Sequence, residues 1–251
     1  MSLLSLSIVT INYHSTKLIN NIELLVKDMD QVELIVVDNS GNFKPINKQT
    51  TIVCGQGNVG FGTGCNLGAE SANSDLLLFL NPDTTIESSS ITQLVSKSSL
   101  NMKAIWAPAI LDKIGKSRTL VKPGRFGFQY RRTYLDGLNN SLAVLPVHYI
   151  SGACMMVCKS VFDELGGFCE DIFLYAEDLE LCERAMSKGV DILVYTDIKV
   201  DHLGGKSSSL IRDRFKRLGR SFSGHYRFLS QSLNPLSAAI NALYLASGIR
   251  M

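Results

Sequence analysis

The apolar and polar positions of the chain fall into alternating strand-like and helix-like patterns. Residues 6–12 are apolar and largely β-branched, which predicts a first strand, and residues 32–37 repeat that pattern. Between them, residues 15–27 place apolar side chains on one helical face, which predicts an amphipathic helix. A strand, a helix and a strand at this spacing form a βαβ unit, so the sequence predicts a parallel sheet within an α/β fold.

The stretch over residues 75–83 is the clearest candidate for the centre of that sheet. Five consecutive apolar residues, 76–80, predict a strand that is buried on both faces. Pro82 has no N–H for a sheet ladder, so the strand ends before it and Asp83 lies at the carboxyl edge of the sheet. Ligands of open α/β sheets bind at that edge, and a carboxylate there suits Mg²⁺ or Mn²⁺ held against a diphosphate. We therefore predict that Asp83 is a metal ligand.

Further elements are expected along the rest of the chain. Thr84 and Glu87 have the spacing of a capping box, which predicts a helix from residue 84 to about residue 96. Acidic residues open another helix at Glu177, where the helix dipole favours negative charge. The remaining predictions are helices over residues 64–71 and 160–165 and strands over 52–54, 104–111, 148–157, 192–195 and 198–200.

A glycine-rich loop over residues 55–68 offers an alternative interpretation. Residues 55–60 match G-x-G-x-x-G after a short strand, a pattern found in dinucleotide-binding folds. The match does not lie in the first βα turn, and no acidic residue closes the following strand at the usual distance. A loop whose backbone N–H groups face a nucleotide is the other interpretation. A nicotinamide-dependent oxidoreductase is thus one alternative function, and a non-catalytic nucleotide-binding module is another.

Composition narrows the class of protein. The chain has 251 residues, of which 45% are hydrophobic, with a formal net charge of +2, so the global charge indicates no nucleic-acid partner. The six cysteines include no C-x-x-C pair and predict reduced thiols in a cytoplasmic protein. No apolar run approaches the ~20 residues that a membrane span needs, and the start of the chain lacks the basic region of a signal peptide.

Two basic stretches leave alternatives open. Residues 112–146 have no regular pattern and are either a loop that contacts an acceptor or a solvated basic loop; their basic residues are Lys113, Lys116, Arg118, Lys122, Arg125, Arg131 and Arg132. Residues 211–229 predict a basic amphipathic helix with kinks at Gly219 and Gly224. That helix lies either on an anionic membrane surface or on the protein core. The expected division is a main domain over residues 1–209 and a helical C-terminal segment over residues 210–251.

Eight short motifs give the chain a family resemblance over about residues 5–209. They occur in the order found in family 2 glycosyltransferases of the GT-A fold, and the chain resembles most the bacterial rhamnosyltransferase branch, which builds cell-surface polysaccharides. The motifs are Thr10-Ile11-Asn12-Tyr13, Val36-Val37-Asp38-Asn39-Ser40, Asn58-Val59-Gly60-Phe61-Gly62, Leu80-Asn81-Pro82-Asp83, Gly152-Ala153-Cys154-Met155, Gly166-Gly167-Phe168, Glu177-Asp178 and His202-Leu203-Gly204-Gly205.

The resemblance implies roles for individual residues. Asp83 matches the metal-binding carboxylate of the family's D-x-D motif, and His202 matches a metal or diphosphate contact. Asn81 replaces the first Asp of that motif and is expected to hydrogen-bond ribose without adding charge. Asp178 matches the general base, with Glu177 beside it as a second catalytic residue. The positions expected to bind the nucleotide sugar are Thr10, Asn12, Asp38, Asn58, Gly60, Asn81, Gly152 and Lys206.

The resemblance also implies a reaction. The chain is expected to use Mg²⁺ or Mn²⁺ and to transfer a sugar with inversion, with L-rhamnose from dTDP-rhamnose favoured over a UDP-sugar. The acceptor would be a saccharide or a lipid-linked saccharide, either in the cytoplasm or at the cytoplasmic face of the inner membrane. The residue types suit this chemistry, because a carboxylate can take the acceptor proton while a cation neutralises the departing diphosphate. The oligomeric state stays open.

Overall fold

A nine-stranded mixed sheet forms the centre of the protein. The computed structural model describes residues 4–111, 115–121, 130–135, 143–202 and 211–247. The sheet has the order β3-β2-β1-β4-β10-β6-β11-β5, with β9 paired to β11, while β7 and β8 form a separate hairpin. The strands are β1 Leu6–Asn12, β2 Val32–Asp38, β3 Thr51–Val53, β4 Leu76–Leu80, β5 Thr84–Thr85, β6 Ala104–Leu111, β7 Arg118–Val121, β8 Arg131–Tyr134, β9 Val144–Pro146, β10 Cys154–Cys158 and β11 Asp191–His202.

The register of the sheet brings polar residues to one edge. The strand β1 pairs in parallel with β2, so that Asn12 lies opposite Asp38. The same strand pairs in parallel with β4, all five residues of which are buried. The antiparallel strand β10 pairs with β4 on its other side and places Cys154 opposite Leu80. The predicted α/β class, with a mixed sheet in which the longer ladders are parallel, is confirmed.

Helices flank this sheet, and most of them begin and end near the predicted residues. The helix predicted from residue 64 begins three residues earlier, at Phe61. The predicted start of the helix at Thr84 was wrong. Thr84 pairs with His202 in the sheet, and the helix begins only at Ser88. The described helices are α1 Thr16–Val26, α2 Phe61–Glu70, α3 Ser88–Ser98, α4 Lys159–Leu165, α5 Glu177–Ser187, α6 Ile211–Leu229 and α7 Pro235–Ser247.

Three strand predictions were also imprecise. The two late strands are a single strand, β11, whose pairing with β6 shifts register between Tyr195 and Lys199. The strand expected over residues 148–157, with an interruption at Ser151 and Gly152, is regular only after that interruption, from Cys154. The stretch over residues 112–146 holds β7, β8 and β9 in its described parts. The strands β7 and β8 pair with each other and β9 pairs with β11, so pairing orders segments that carry no pattern of their own.

The C-terminal helices pack on the rest of the protein. The helix α6 runs through Gly219 and Gly224 as one continuous element. Leu229 of α6 and Leu245 of α7 are buried in a small cluster with Leu179 of α5. The alternative in which this helix packs on the core is therefore confirmed for its described C-terminal half. No helix within the described ranges is long and apolar enough to cross a membrane. The predicted domain boundary falls among residues 203–210, outside the described residues.

Candidate active site

Two adjoining cavities open at the carboxyl edge of the sheet. The first, which we name the Asp83 cavity, has a volume of about 300 Å³. The second, the Asp178 cavity, has a volume of about 390 Å³. Asn81, Phe61 and Leu174 line both. The Asp83 cavity is also lined by Ile11, Tyr13, Asn39, Asn58, Gly60 and Arg220, and the Asp178 cavity by Tyr149, Gly152, Glu177, His202, Ser221 and His225.

A buried hydrogen-bond network joins the ends of β1 and β2. Asp38 accepts hydrogen bonds from the Asn12 amide at 2.8 Å and from the Phe43 N–H at 2.7 Å. It also accepts hydrogen bonds from the hydroxyl and the N–H of Ser40. Burial alone would raise the pKa of Asp38, but these hydrogen bonds outweigh it and the pKa lies below its ordinary value. Asp38 is therefore an ionised anchor that holds the sheet edge together.

This network lies behind the wall of the Asp83 cavity. Thr10, Asn12 and Asp38 are almost completely buried, and none of the three lines that cavity. The Thr10 hydroxyl has no hydrogen-bond partner among the described residues. The residue after Asp38, Asn39, lines the cavity instead. Asn39 belongs to the motif over residues 36–40 but is not among the predicted binding residues.

The glycine loop is attached to that edge through Asn39. The Asn39 amide donates to the Gly60 carbonyl at 2.9 Å and approaches Asn58 Oδ1 at 3.4 Å. Gly60 has a φ of 90°, and a Cβ there would lie 2.2 Å from the Phe173 carbonyl oxygen. Only glycine therefore fits at position 60, where the turn before α5 packs against the loop, whereas a Cβ on Gly57 would meet open space.

Asp83, which lines the Asp83 cavity, forms a pair with His202, which lines the Asp178 cavity. His202 Nε2 lies 3.1 Å from Asp83 Oδ1, and both side chains are about one quarter exposed. The pairing of β5 with β11 produces this contact, because it sets Thr84 opposite His202.

The pair fits a small divalent cation. Two ligands at right angles around Mg²⁺ lie roughly 3 Å apart, which matches their separation. The described residues contain no cluster of three or more His, Cys, Asp or Glu that could hold a metal, so this part of the chain offers Asp83 and His202 as the two ligands there. Mg²⁺ and Mn²⁺ sites with few protein ligands are usually completed by substrate phosphates and water.

Asp178 lies at the start of α5 and faces the second cavity. Its carboxylate accepts hydrogen bonds from the Tyr149 hydroxyl at 2.9 Å, the Gly152 N–H at 3.1 Å and the Leu179 N–H at 2.9 Å. Burial raises the pKa of Asp178 above its ordinary value, while these hydrogen bonds and the nearby His225 partly offset the rise. A carboxylate of this kind is a stronger base than an exposed one.

The neighbouring Glu177 has a different environment. The side chain is 5% exposed, and its Oε2 has no hydrogen-bond partner among the described residues. Burial and the adjacent charge of Asp178 raise the pKa of Glu177 above its ordinary value, which favours the protonated acid. The structure brings the two predicted catalytic carboxyls together and gives them unequal access to the cavity.

A strained turn precedes this pair of carboxyls. Tyr175 and Ala176 have φ values of 67° and 78°, and such left-handed conformations cost roughly 1–2 kcal/mol for each non-glycine residue. The turn is held on one side by Gly60 and Phe61, whose N–H donates to the Phe173 carbonyl at 3.1 Å. The packing of the turn therefore sets the direction in which α5 presents Asp178.

Some residues of the site lie outside the motifs and were not predicted. Tyr149 precedes β10 and contacts Asp178, while Arg220 and His225 come from α6. Nδ1 of His225 lies 2.7 Å from the Ser221 carbonyl oxygen, which only accepts, so Nδ1 carries the proton. Only the basic character of α6 signalled Arg220 and His225 in advance. Lys206, a predicted binding residue, lies outside the described residues.

Comparisons with known proteins agree on one family. The family model described as Glycosyl transferase family 2 matches residues 5–166. The low-salt glycan biosynthesis hexosyltransferase Agl10 of Haloferax volcanii is 30% identical over 199 residues, which cover 74% of this chain and 63% of Agl10. The dTDP-rhamnosyl transferase RfbF of Shigella flexneri is 24% identical over 202 residues, which cover 76% of this chain and 67% of RfbF. The chain thus spans less than two thirds of the length of Agl10.

A solved structure shares the fold. The mannosyltransferase PcManGT from Pyrobaculum calidifontis, in complex with GDP-Man and Mn²⁺, superposes with a TM-score of 0.64 at 14% identity. The match covers 97% of this chain and 73% of PcManGT. The expected GT-A architecture is confirmed at the level of the fold.

Proposed function

From the premise that this chain belongs to glycosyl transferase family 2, we propose that it is a metal-dependent, inverting glycosyltransferase of glycan biosynthesis. The donor is a nucleotide sugar, with dTDP-L-rhamnose favoured, as the name of RfbF suggests. The observation that carries the proposal is the placement of Asp83 and Asp178 in two adjoining cavities that share Asn81. A cavity for the leaving group beside a cavity for the acceptor is the arrangement that a single displacement requires.

The Asp83 cavity would hold the donor. Asp83 and His202 would bind the cation, which when bound supplies a positive charge that stabilises the departing diphosphate. Asn39 and Asn58 place amide groups in the same cavity, where they can hydrogen-bond the nucleoside. Asn81 lies at the junction of the two cavities, next to where the sugar would sit. Asp38, Asn12 and Thr10, which lie buried behind the cavity wall, would not contact the donor directly. They would instead fix the strand ends next to the residues that line the cavity.

The Asp178 cavity would hold the acceptor. Asp178 accepts the proton of the attacking hydroxyl as that oxygen approaches the anomeric carbon on the face opposite the diphosphate. The hydrogen bonds from Tyr149 and Gly152 hold the carboxylate in one orientation during this transfer. Glu177, which is buried and whose raised pKa favours the protonated form, would support the same helix end rather than take a proton itself.

The donor preference can be tested without knowledge of the acceptor. The protein is incubated with Mn²⁺ and dTDP-rhamnose, UDP-glucose or GDP-mannose, and the slow release of nucleotide to water is followed by chromatography. We expect release of dTDP and its arrest by a chelator. Release of UDP or GDP instead would support glycosyltransferase activity with a donor other than dTDP-rhamnose. Tight nucleotide binding without turnover of any donor would favour the non-catalytic module.

Tyr149→Phe is expected to move the acidic limb of the rate–pH profile to higher pH by about one unit. The lost hydrogen bond favours the ionised form of Asp178, so its removal raises the pKa of that carboxyl further. A base works deprotonated, and a higher pKa therefore removes activity at pH values where the wild type still works. Tyr195→Phe is the control, because that hydroxyl donates to the Lys97 carbonyl far from Asp178. Superimposable profiles for Tyr149→Phe and the wild type would contradict the proposed base.

A lipid-linked acceptor would place the protein at a membrane surface, and the C-terminal helices offer a surface for it. Leu236, Ile240 and Leu243 are 72%, 49% and 56% exposed and share one face of α7. The helix α6, which packs along α7, is basic over most of its length. An apolar stripe beside positive charge suits the surface of an anionic bilayer.

Replacement of Leu236, Ile240 and Leu243 by Ser is expected to weaken binding to phosphatidylglycerol vesicles by at least about tenfold. Co-sedimentation measures it, with phosphatidylcholine vesicles for comparison. Leu100→Ser is the control, because that leucine is 84% exposed on another part of the surface. Unchanged co-sedimentation of the triple variant with phosphatidylglycerol vesicles would mean that α7 does not bind the membrane.

A further inference from the structure

The helix α6 brings a positive charge to the Asp83 cavity. Arg220 lines this cavity together with Asp83 and Asn81, although it lies 137 positions further along the chain than Asp83. Asp83 and Arg220 are the only charged side chains among the described residues that line the cavity. The cavity therefore presents one carboxylate and one guanidinium to its contents.

The position of Arg220 depends on a glycine one turn further along α6. A Cβ on Gly224 would lie 1.9 Å from the Tyr175 carbonyl oxygen and 2.8 Å from that of Leu174. The helix can approach the strained turn this closely only because residue 224 has no side chain. Gly219, on the same helix, has open space around its Cβ position. The contact at Gly224 thus seats α6 against the turn and holds Arg220 over the cavity.

The charges of the site favour binding of an anion between Arg220 and a cation held by Asp83. The family resemblance places a second carboxylate where this chain has the neutral Asn81. A divalent cation with Asp83 alone leaves one positive charge against the two negative charges of a nucleotide-sugar diphosphate. The departing diphosphate gains a further negative charge as the sugar bond breaks. A guanidinium offers parallel N–H donors that match two phosphate oxygens.

We infer that Arg220 of α6 binds the diphosphate of the donor and stabilises it as it departs. The inference rests on the proposed function and adds to it that the C-terminal helix forms part of the donor site. Since the negative charge grows in the transition state, the guanidinium stabilises that state more than the bound donor. The same contact at Gly224 links α6 to the turn before Asp178, so one helix touches both halves of the site.

Titration calorimetry with Mn²⁺ tests the inference by comparing a nucleoside diphosphate with its monophosphate. The wild type is first titrated with dTDP, UDP and GDP, and the tightest of the three is then used with its monophosphate. Arg220→Gln is expected to weaken diphosphate binding about tenfold or more and monophosphate binding much less. Arg220→Lys should restore part of the loss. Arg227→Gln, on the same helix but paired with Asp171 at 3.0 Å, should bind both within about twofold of the wild type.

A glycine pair tests the seating of the helix. Gly224→Ala is expected to weaken diphosphate binding as Arg220→Gln does, because the added methyl pushes α6 away from Tyr175. Gly219→Ala should bind like the wild type and serves as the control for a glycine-to-alanine change in this helix. Thermal unfolding of each variant separates a displaced helix from a protein that fails to fold.

The outcomes of these titrations separate a failure of the role of Arg220 from a failure of the proposed function. A wild type that binds none of the three diphosphates would overturn both. A wild type that binds one of them while Arg220→Gln binds it equally well would overturn the role of Arg220 alone. An equal loss of diphosphate and monophosphate binding in Arg220→Gln would overturn the assignment to the diphosphate.

Discussion

Asp178→Asn is expected to lower the rate of sugar transfer by about a thousandfold and to leave nucleotide binding unchanged. The amide keeps the size of the side chain but cannot take the acceptor proton, and a general base contributes about 10²–10⁴ in rate. The Asp83 cavity, which would hold the donor, does not include Asp178 among its lining residues. Initial rates of transfer and calorimetric nucleotide binding, measured on the same preparation, give the two halves of this prediction.

Glu177→Gln is the matched comparison for that variant. Glu177 is 5% exposed and favours its protonated form, which an amide imitates in shape and charge. We expect Glu177→Gln to lower the rate of sugar transfer by about tenfold or less, through a small change at the start of α5. A larger loss in Glu177→Gln than in Asp178→Asn would exchange the roles of the two carboxyls. Near-normal turnover of Asp178→Asn would remove Asp178 from the role of base.

Asp83→Asn is expected to weaken binding of Mn²⁺ by about a hundredfold in the presence of dTDP. The pair of Asp83 and His202 supplies the protein ligands that the described residues offer, so Asp83→Asn removes the one negatively charged side chain of that pair. The signal of free Mn²⁺ in electron paramagnetic resonance measures how much metal is bound. The nucleotide should bind more weakly to Asp83→Asn than to the wild type when metal is present, and equally weakly to both when it is chelated.

Asp201→Asn controls for the loss of one negative charge at the same sheet edge. Asp201 precedes His202 in β11, is exposed, and lies opposite Thr85 in the sheet. Successive residues of a strand point to opposite faces, so this carboxylate should not reach the ion. If Mn²⁺ binding weakens equally in Asp83→Asn and Asp201→Asn, negative charge alone, and not ligation by Asp83, holds the metal.

Local pattern was enough to predict the centre of the fold. The apolar runs of β1 and β4 predicted both strands within a residue, because burial on both faces leaves a continuous signal in the sequence. The sharp stop at Pro82 then placed Asp83 at the edge where its cavity lies. The acidic start of α5 likewise predicted the helix that carries Asp178.

Contacts between distant segments account for what the sequence did not predict. Thr84 has capping-box spacing, yet the strand pairing with His202, more than a hundred residues away, prevails over it. The amphipathic pattern of α6 fitted a membrane and a core equally well, and packing against Leu179 decides between them for Leu229. Arg220 and His225 reach the site only through that packing, so no local motif could have marked them.

The central claim is that the carboxyl edge of the sheet binds a nucleoside diphosphate through a metal at Asp83. Calorimetric titration of the wild type with dTDP, UDP, GDP and NAD⁺, each with Mn²⁺ and with a chelator, tests it most directly. We predict metal-dependent binding of a nucleoside diphosphate, with dTDP the tightest, and little binding once the metal is removed. Binding of NAD⁺ that is indifferent to metal would contradict the claim and return the function to the glycine loop.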